Sequence, residues 1–546
     1  MKYNRIITLA AASALFVSSG ITLSGCTGDF NDLNTNQYEV DPSNLPFAAQ
    51  FIEPMTYVYA PHQNMFQFWT NLSIDLFGGY FMTPHNFSGN GNADYKLNRG
   101  FCGGMYENYY LHIFNNTRRL IKACDEKGIS DFAAVMRVVQ AYATANATDA
   151  YGPIAYKSVI ASNGVSFAYD KQEDVYTEIF KLLDDAIQGF QHGTSTADQM
   201  KAFDYWCNGD KQLWIKVANQ FKLRYAMRIV KANPALAKQK AEEAVAGGVL
   251  TASDRDILID HGLSNELTRM FAWGDCGMNA SLVTIMEGFN DPRIALYMKK
   301  NADDVKVNNA VVVAKNTKYL GIRGGSNLPN KPNAWTNYSS IVCDYATPLP
   351  VMKVAEAYFL RAEGAVRGWN MMGNAKDFYE KGIEEGSCED RENYYQDENG
   401  DNPYKKGIAA YTQQANAIPY TYNDPTGETD PVESVTKIGV KWNDGDTPEM
   451  KLEKIITQKY IAAYPESYET WVDLRRTGYP KLFEILNAED SDGSIDDGET
   501  IRRLPFPGKD DPVTFEDLRR TAFKTLTGGD YVATRLWWDT KGPNFQ

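Results

Sequence analysis

The helical pattern between Met105 and Thr148 limits the fold more than any other part of the chain. Within Met105–Glu126, Leu111, Phe114, Arg118 and Ile121 recur at three- and four-residue steps, which predicts a helix. The next segment, Asp131–Thr148, carries Ala133, Ala134, Ala141 and Ala145 on one side. Side chains this small let two helix axes approach closely, because interaxial distance follows the residues at the contact. The segment stops at Asp149-Ala150-Tyr151-Gly152-Pro153, a helix terminator. Further helices are predicted at Glu173–Phe190, Lys211–Lys231 and Ala235–Ala246, bounded by Asn208-Gly209-Asp210, Asn233-Pro234 and Gly247-Gly248. An aromatic helical stretch, Phe47–Phe77, precedes them.

Helices return at Pro350–Gly368 and Ala375–Gly386. The pair reads as a hairpin, with Ala355, Ala357, Ala362 and Ala365 small and Phe378 and Tyr379 bulky. Its span is near the ~34-residue period of tetratricopeptide units, with the small and aromatic positions about one residue off that consensus. Met450–Pro465 and Tyr468–Thr477 are the last predicted helices. Between the two helical groups, Val249–Tyr345 is rich in glycine, asparagine and proline, with short β-type runs such as Val311-Val312-Val313 and a small helix near Ser281–Gly288. Asn393–Pro448 is polar and turn-rich and reads as a surface excursion, and the tail from Ile501 as loop with aromatic anchors. No linker divides the chain. The expectation is a mainly α fold: a tetratricopeptide-like helical scaffold with a loop-rich, partly β lobe, the kind of region where binding residues collect. Residues 47–546 form one domain, with helical units at about 105–248 and 350–480 and the lobe at about 249–349.

The front of the chain has the grammar of a bacterial export signal: Lys2 and Arg5, then an apolar run from Ile6 to Val17. That run is shorter than the ~18 residues of a spanning helix. It leads to Leu23-Ser24-Gly25-Cys26, which resembles a lipobox. Residues 1–25 are then a signal peptide that is removed, Cys26 carries lipid on its thiol, and 26–46 form a polar tether. The body meets the membrane only through that lipid. A net charge of −14 repels nucleic acid, and no basic stripe overrides it. Cys102, Cys124, Cys207, Cys276, Cys343 and Cys388 lie far apart with no C-x-x-C pair, so neither zinc nor redox chemistry is indicated. Disulfides and buried thiols both suit an exported protein.

The chain is not expected to be an enzyme, and no cofactor or metal is implied. His62, His85, His112, His192 and His261 form no H-E-x-x-H pair, and no G-x-S-x-G elbow is present. Gly321-Ile322-Arg323-Gly324-Gly325-Ser326 lacks the lysine of a phosphate loop. Paired carboxylates for glycoside hydrolysis leave no local signature. The acidic runs Asp397–Asp401 and Asp490–Glu499 lack EF-hand spacing.

Several separated stretches recur in a familiar order. They are Asp29-Phe30-Asn31-Asp32-Leu33-Asn34-Thr35-Asn36, Ala147-Thr148-Asp149-Ala150-Tyr151-Gly152-Pro153-Ile154, and Ala218–Arg228 (ANQFKLRYAMR). Then come Ala355-Glu356-Ala357-Tyr358-Phe359-Leu360-Arg361-Ala362-Glu363, Gln458-Lys459-Tyr460-Ile461-Ala462, Trp471–Pro480 (WVDLRRTGYP) and Ile501–Pro507 (IRRLPFP). Together they resemble the SusD/RagB-type nutrient-binding outer-membrane lipoproteins of Bacteroidetes. The resemblance implies a lipid-anchored, cell-surface protein at the outer membrane. It also implies a SusC-like TonB-dependent transporter as partner, and ligands that are mostly oligosaccharides, with peptides as the alternative. Read physically, the motif residues are scaffold: Arg475 and Arg476, with Asp473, suggest guanidinium forks meeting carboxylates.

A sugar site needs exposed aromatic faces on loops with amides and charged groups nearby. Two stretches qualify. One holds Tyr80, Phe81, His85 and Asn86. The other is split between Met270–Asp275, with Trp273 and Asp275, and Arg323–Tyr345, with Arg323, Trp335, Asn337 and Tyr338. By resemblance, the family's ligand faces draw on these same two regions.

Overall fold

The computed structural model describes residues 46–84, 92–161, 168–259, 263–326, 337–387, 403–486, 488, 492–496, 498–507, 522 and 524–545. The signal, Cys26, the tether up to residue 45, His85, Asn86, His261, Trp335, Cys388 and the run Asp397–Asp401 lie outside the described residues. The chain divides into two units, Met1–Gln50 and Phe51–Gln546. Of the first, the described part is one turn, in which the Ala49 N–H donates to the Pro46 carbonyl.

In the second unit the periodic segments are helices: α1 (Asn115–Lys127), α2 (Ser130–Tyr151), α3 (Gln172–His192), α4 (Lys211–Arg228) and α5 (Pro234–Gly247). Asp210 caps α4 by accepting from the Gln212 and Leu213 N–H groups, and Asn233 caps α5, with Pro234 at its first position. Among the described residues, the loop-rich quarter contributes three short helices, α6 (Glu266–Ala272), α7 (Ala280–Gly288) and a single turn at Ile294–Tyr297. The scaffold then resumes with α8 (Val354–Val366), α9 (Ala375–Glu384), α10 (Pro448–Ala463) and α11 (Ser467–Thr477). Neighbours stack in order, α1 on α2, α2 on α3, α3 on α4 and α4 on α5, while α8 packs on α9, α10 and α4. Among the described residues no helix is long and apolar enough to cross a membrane.

The alanine side of α2 does what its composition predicts. Ala133, Ala134, Ala141 and Ala145 are all fully buried. At Gly189 of α3, an added Cβ would sit 2.8 Å from the Ser130 carbonyl oxygen and 2.9 Å from the Ala134 Cβ. The α2–α3 contact therefore has no room for a methyl group. Gly189→Val should lower the unfolding free energy by about 1–3 kcal/mol, through overpacking. Urea unfolding checks it, and a loss within about 0.5 kcal/mol, the range of a neutral surface change, would contradict this packing.

The strands are short antiparallel pairs: β1 (Phe81–Met82) with β3 (Gly277–Met278), β2 (Ile257–Ile259) with β6 (Leu349–Met352), β4 (Val305–Val307) with β5 (Ala310–Val313), and β7 (Thr421–Tyr422) with β8 (Val432–Glu433). Two sequence expectations need correction here. The helix expected from Pro350 begins instead at Val354, because Pro350 holds its predecessor extended and β6 pairs with β2. Asp256, the residue before β2, then accepts from the Val354 N–H at 2.8 Å, the first N–H of the helix. The excursion expected at Asn393–Pro448 carries a helix, Pro403–Tyr411, and is anchored rather than loose. Tyr404, Tyr411 and Tyr422 are buried, and the Tyr411 hydroxyl is shared with Arg293 and Gln458. The five described cysteines, Cys102, Cys124, Cys207, Cys276 and Cys343, are free thiols.

Candidate ligand-binding face

The two stretches singled out in the sequence meet in one strip of backbone. β1 and β3 pair Phe81 with Met278 and Met82 with Gly277. The Asn279 N–H donates to the Tyr80 carbonyl (2.9 Å), and Asn279 pairs in parallel with Ile322. Residue 324 continues the strip, its carbonyl accepting from the Leu486 N–H at 2.8 Å. Tyr80–Met82, Gly277–Asn279 and Ile322–Gly324 are thus neighbours although some 240 positions separate the first from the last.

Most of the named side chains point inward from this strip. Tyr80 is fully buried, stacked on Tyr460 at 4.7 Å with its hydroxyl donating to the Tyr460 carbonyl, so burial raises its pKa. Phe81 lies against Phe271 and Tyr464 in the core. Asp275 is buried and accepts from the Gln67 amide at 2.8 Å. Arg323 is buried with its guanidinium carbon 4.7 Å from the Phe483 ring centre, donating to the Glu484 carbonyl (3.1 Å), and burial lowers its pKa. Tyr338 is 1% exposed and donates to Asp424 at 2.9 Å. These five side chains shape the face from beneath. Their rings leave no free plane for stacking.

Trp273 differs. It is 40% exposed, in the turn between α6 and β3. One helical turn earlier is Arg269, whose guanidinium carbon lies 5.2 Å from the ring centre of Tyr345, itself 42% exposed. The Tyr345 carbonyl accepts from the Asn265 N–H (3.0 Å), which fixes that loop to the start of α6, and Glu266 holds Arg269 at 2.7 Å. An exposed ring with a guanidinium against it, and a second exposed ring one helical turn along from that arginine, offer planes for C–H faces and a donor for hydroxyls. Asn337 is half-buried. Sequence reasoning missed Arg269, for which the only signal was its spacing four residues before Trp273.

A cavity of about 780 Å³ borders the strip at Asn279 and Gly324, with Phe77, Tyr95, Phe483 and Asp496 in its wall. Neither Trp273 nor Tyr345 lines it, and its aromatic side chains are buried in the core, so the open face fits a stacked ligand better.

The family model described as SusD-like, Susd and RagB outer membrane lipoprotein, matches residues 29–539. A chitin-binding SusD homologue from Flavobacterium johnsoniae is 33% identical with a TM-score of 0.81, over 91% of this chain and 100% of that one. A SusD-like protein from Bacteroides thetaiotaomicron is 31% identical with a TM-score of 0.79, over 92% and 100%. A SusD homologue from Bacteroides uniformis is 29% identical with a TM-score of 0.80, over 91% and 99%. A search of curated proteins returned no match.

Proposed function

The chain belongs to the SusD-like family of nutrient-binding, non-catalytic outer-membrane lipoproteins, and from that premise we propose that it captures oligosaccharides and passes them to a SusC-like TonB-dependent transporter. The observation that carries the glycan reading is the exposure of Trp273 and of Tyr345, the latter with the Arg269 guanidinium against its ring. Sugar rings stack their C–H faces on such planes, and the guanidinium donates to ring hydroxyls. Because a relative 33% identical is chitin-binding, oligomers of N-acetylglucosamine are the first ligands to test. Trp335, a sequence-based candidate, is tested alongside.

Calorimetric titration of the purified protein with N-acetylglucosamine oligomers, a panel of other glycans and a peptide pool decides the ligand class. Trp273→Ala should weaken glycan binding by about 30-fold, the loss of a ~2 kcal/mol anchor. Parental affinity in both Trp273→Ala and Trp335→Ala would refute this placement of the site. Saturable binding of peptides alone would replace the oligosaccharide with a peptide. The transporter is tested by pull-down of the lipidated full chain from outer membranes, and failure to recover a TonB-dependent barrel would count against the hand-over.

A further inference from the structure

Where the C-terminal end of α11 meets the chain's last described residues, a cavity of about 580 Å³ collects an unusual set of charges for an acidic protein. Its wall holds Lys231, Arg475, Arg476, Arg502, Arg535 and Lys541, against one carboxylate, Glu449. Three of these cations are neutralised by neighbours. Arg476 is bound by Glu363 and Asp473, Arg502 by Glu499, and Arg535 by Asp539. Among the described residues, no carboxylate pairs with Arg475, Lys231 or Lys541. Among the described residues Glu449 has no cation, and it accepts from Tyr479 and Asn544.

Arg475 is the telling residue. It is 2% exposed, yet its guanidinium donates to backbone carbonyls, those of Asp149 (2.8 Å), Arg502 (2.7 Å) and Trp471 (3.3 Å). Its carbon lies 3.5 Å from the Trp471 ring centre and 4.9 Å from that of Trp538. Its Nη2 has no acceptor among the described residues, and neither does the Nε of Arg502. Asp539 Oδ2 also lacks a donor, but Asp539 does not border the cavity. Lys231 is similarly idle: its ammonium reaches only the Gly542 carbonyl, at 3.4 Å. Burial, then Arg476, push its pKa down to about 8.

We propose that this cavity binds a phosphate-type oxyanion, free or carried on a small molecule, with the unpaired Arg475, Lys231 and Lys541 as its cations and the open Nε of Arg502 as a further donor. Three unpaired cations facing one unpaired carboxylate leave an excess that a dianion cancels. Buried donors without acceptors carry a desolvation penalty that an oxyanion removes. The volume lies within the range of small-molecule sites, ~300–1,000 Å³. The site does not depend on the glycan reading.

The test titrates the full chain with inorganic phosphate at constant ionic strength, and in parallel with glycerol phosphate. Saturable binding that chloride does not displace is expected, together with an upward shift of the Lys231 pKa. Lys231→Met should weaken it by about tenfold or more, equivalent to ~1.4 kcal/mol. Lys541→Ala, at an exposed position, serves as the second variant should the first not fold. Tighter binding of glycerol phosphate identifies a carried phosphate as ligand, and equal binding identifies the free ion. No saturation at millimolar concentrations, or parental affinity in the folded variants, would overturn the proposal.

Discussion

Replacing Arg228 with methionine is expected to lower the unfolding free energy by about 3–5 kcal/mol, the penalty for leaving buried charges without their partner. Arg228 bridges Asp149 of α2 and Glu469 of α11, and all three side chains are buried. Methionine keeps much of the length and packing, so the change is chiefly electrostatic. Asp149 would retain two donors, the Tyr176 hydroxyl (2.6 Å) and the Trp538 indole (2.7 Å). Those cannot replace a guanidinium, because burial already raises the Asp149 pKa against the pull of Arg228. The deficit should therefore shrink at acid pH, where a protonated Asp149 needs no counter-ion. Glu469 would keep Arg224, at 3.5 Å, so the charge left without a cation is chiefly that of Asp149. Urea unfolding at two pH values reads both effects, and a loss under about 1 kcal/mol would mean that Arg228 contributes no more than a surface pair.

The second large effect is acid unfolding, set by Arg476. This guanidinium grips Glu363 through two bonds, at 2.6 and 2.9 Å, and Asp473 at 3.0 Å. For Glu363, burial pushes the pKa up, but Arg476 and Arg367 outweigh it, and the net value falls from 4.5 to about 2. For Asp473, burial is likewise outweighed, by Lys459 and then Arg476, and the value falls from 3.8 to about 2. Both folded-state values are depressed, so the stability they confer is present above the unfolded values. It is lost as pH falls from roughly 5 through 2, a difference on the order of 5 kcal/mol for the pair together. In Arg476→Met both carboxyls titrate higher, and the pH of half-unfolding should rise by about one unit. An unchanged acid midpoint, followed by tryptophan fluorescence, would show that another group controls it.

How much was legible in the sequence depended on how local the cause was. Helices fixed by their own periodicity and caps, such as Gln172–His192, are found within a few residues of where Glu173–Phe190 predicted them. The start of α8 was misread because the acceptor of its first N–H, Asp256, sits just before β2, about a hundred positions earlier. The same limit separates Arg475 from Arg476. Adjacent and identical in type, one meets carboxylates as expected and the other meets tryptophans and carbonyls. Which of two neighbours on a helix faces which element is decided by packing between helices. At the candidate face, composition picked out two stretches that the backbone does bring together, but it did not separate buried side chains from exposed ones. Glycine and aromatic enrichment marks a loop face, but Tyr80 and Trp273 carry the same composition signal. Tyr80 is buried because its partner, Tyr460, is brought from the far side of the sequence.

The reach of the Asp149 cluster also sets an order of events during export. Its indole donor, Trp538, lies 389 positions downstream, and its guanidinium bridges to Glu469. A chain threading outward N-terminus first would present α2 long before those partners emerge. Until then the site is incomplete, lacking both the Trp538 indole and Glu469, the second anchor of Arg228. A product ending short of Trp538 would keep Arg228 and Tyr176 on Asp149 and lose the third donor to this buried acid.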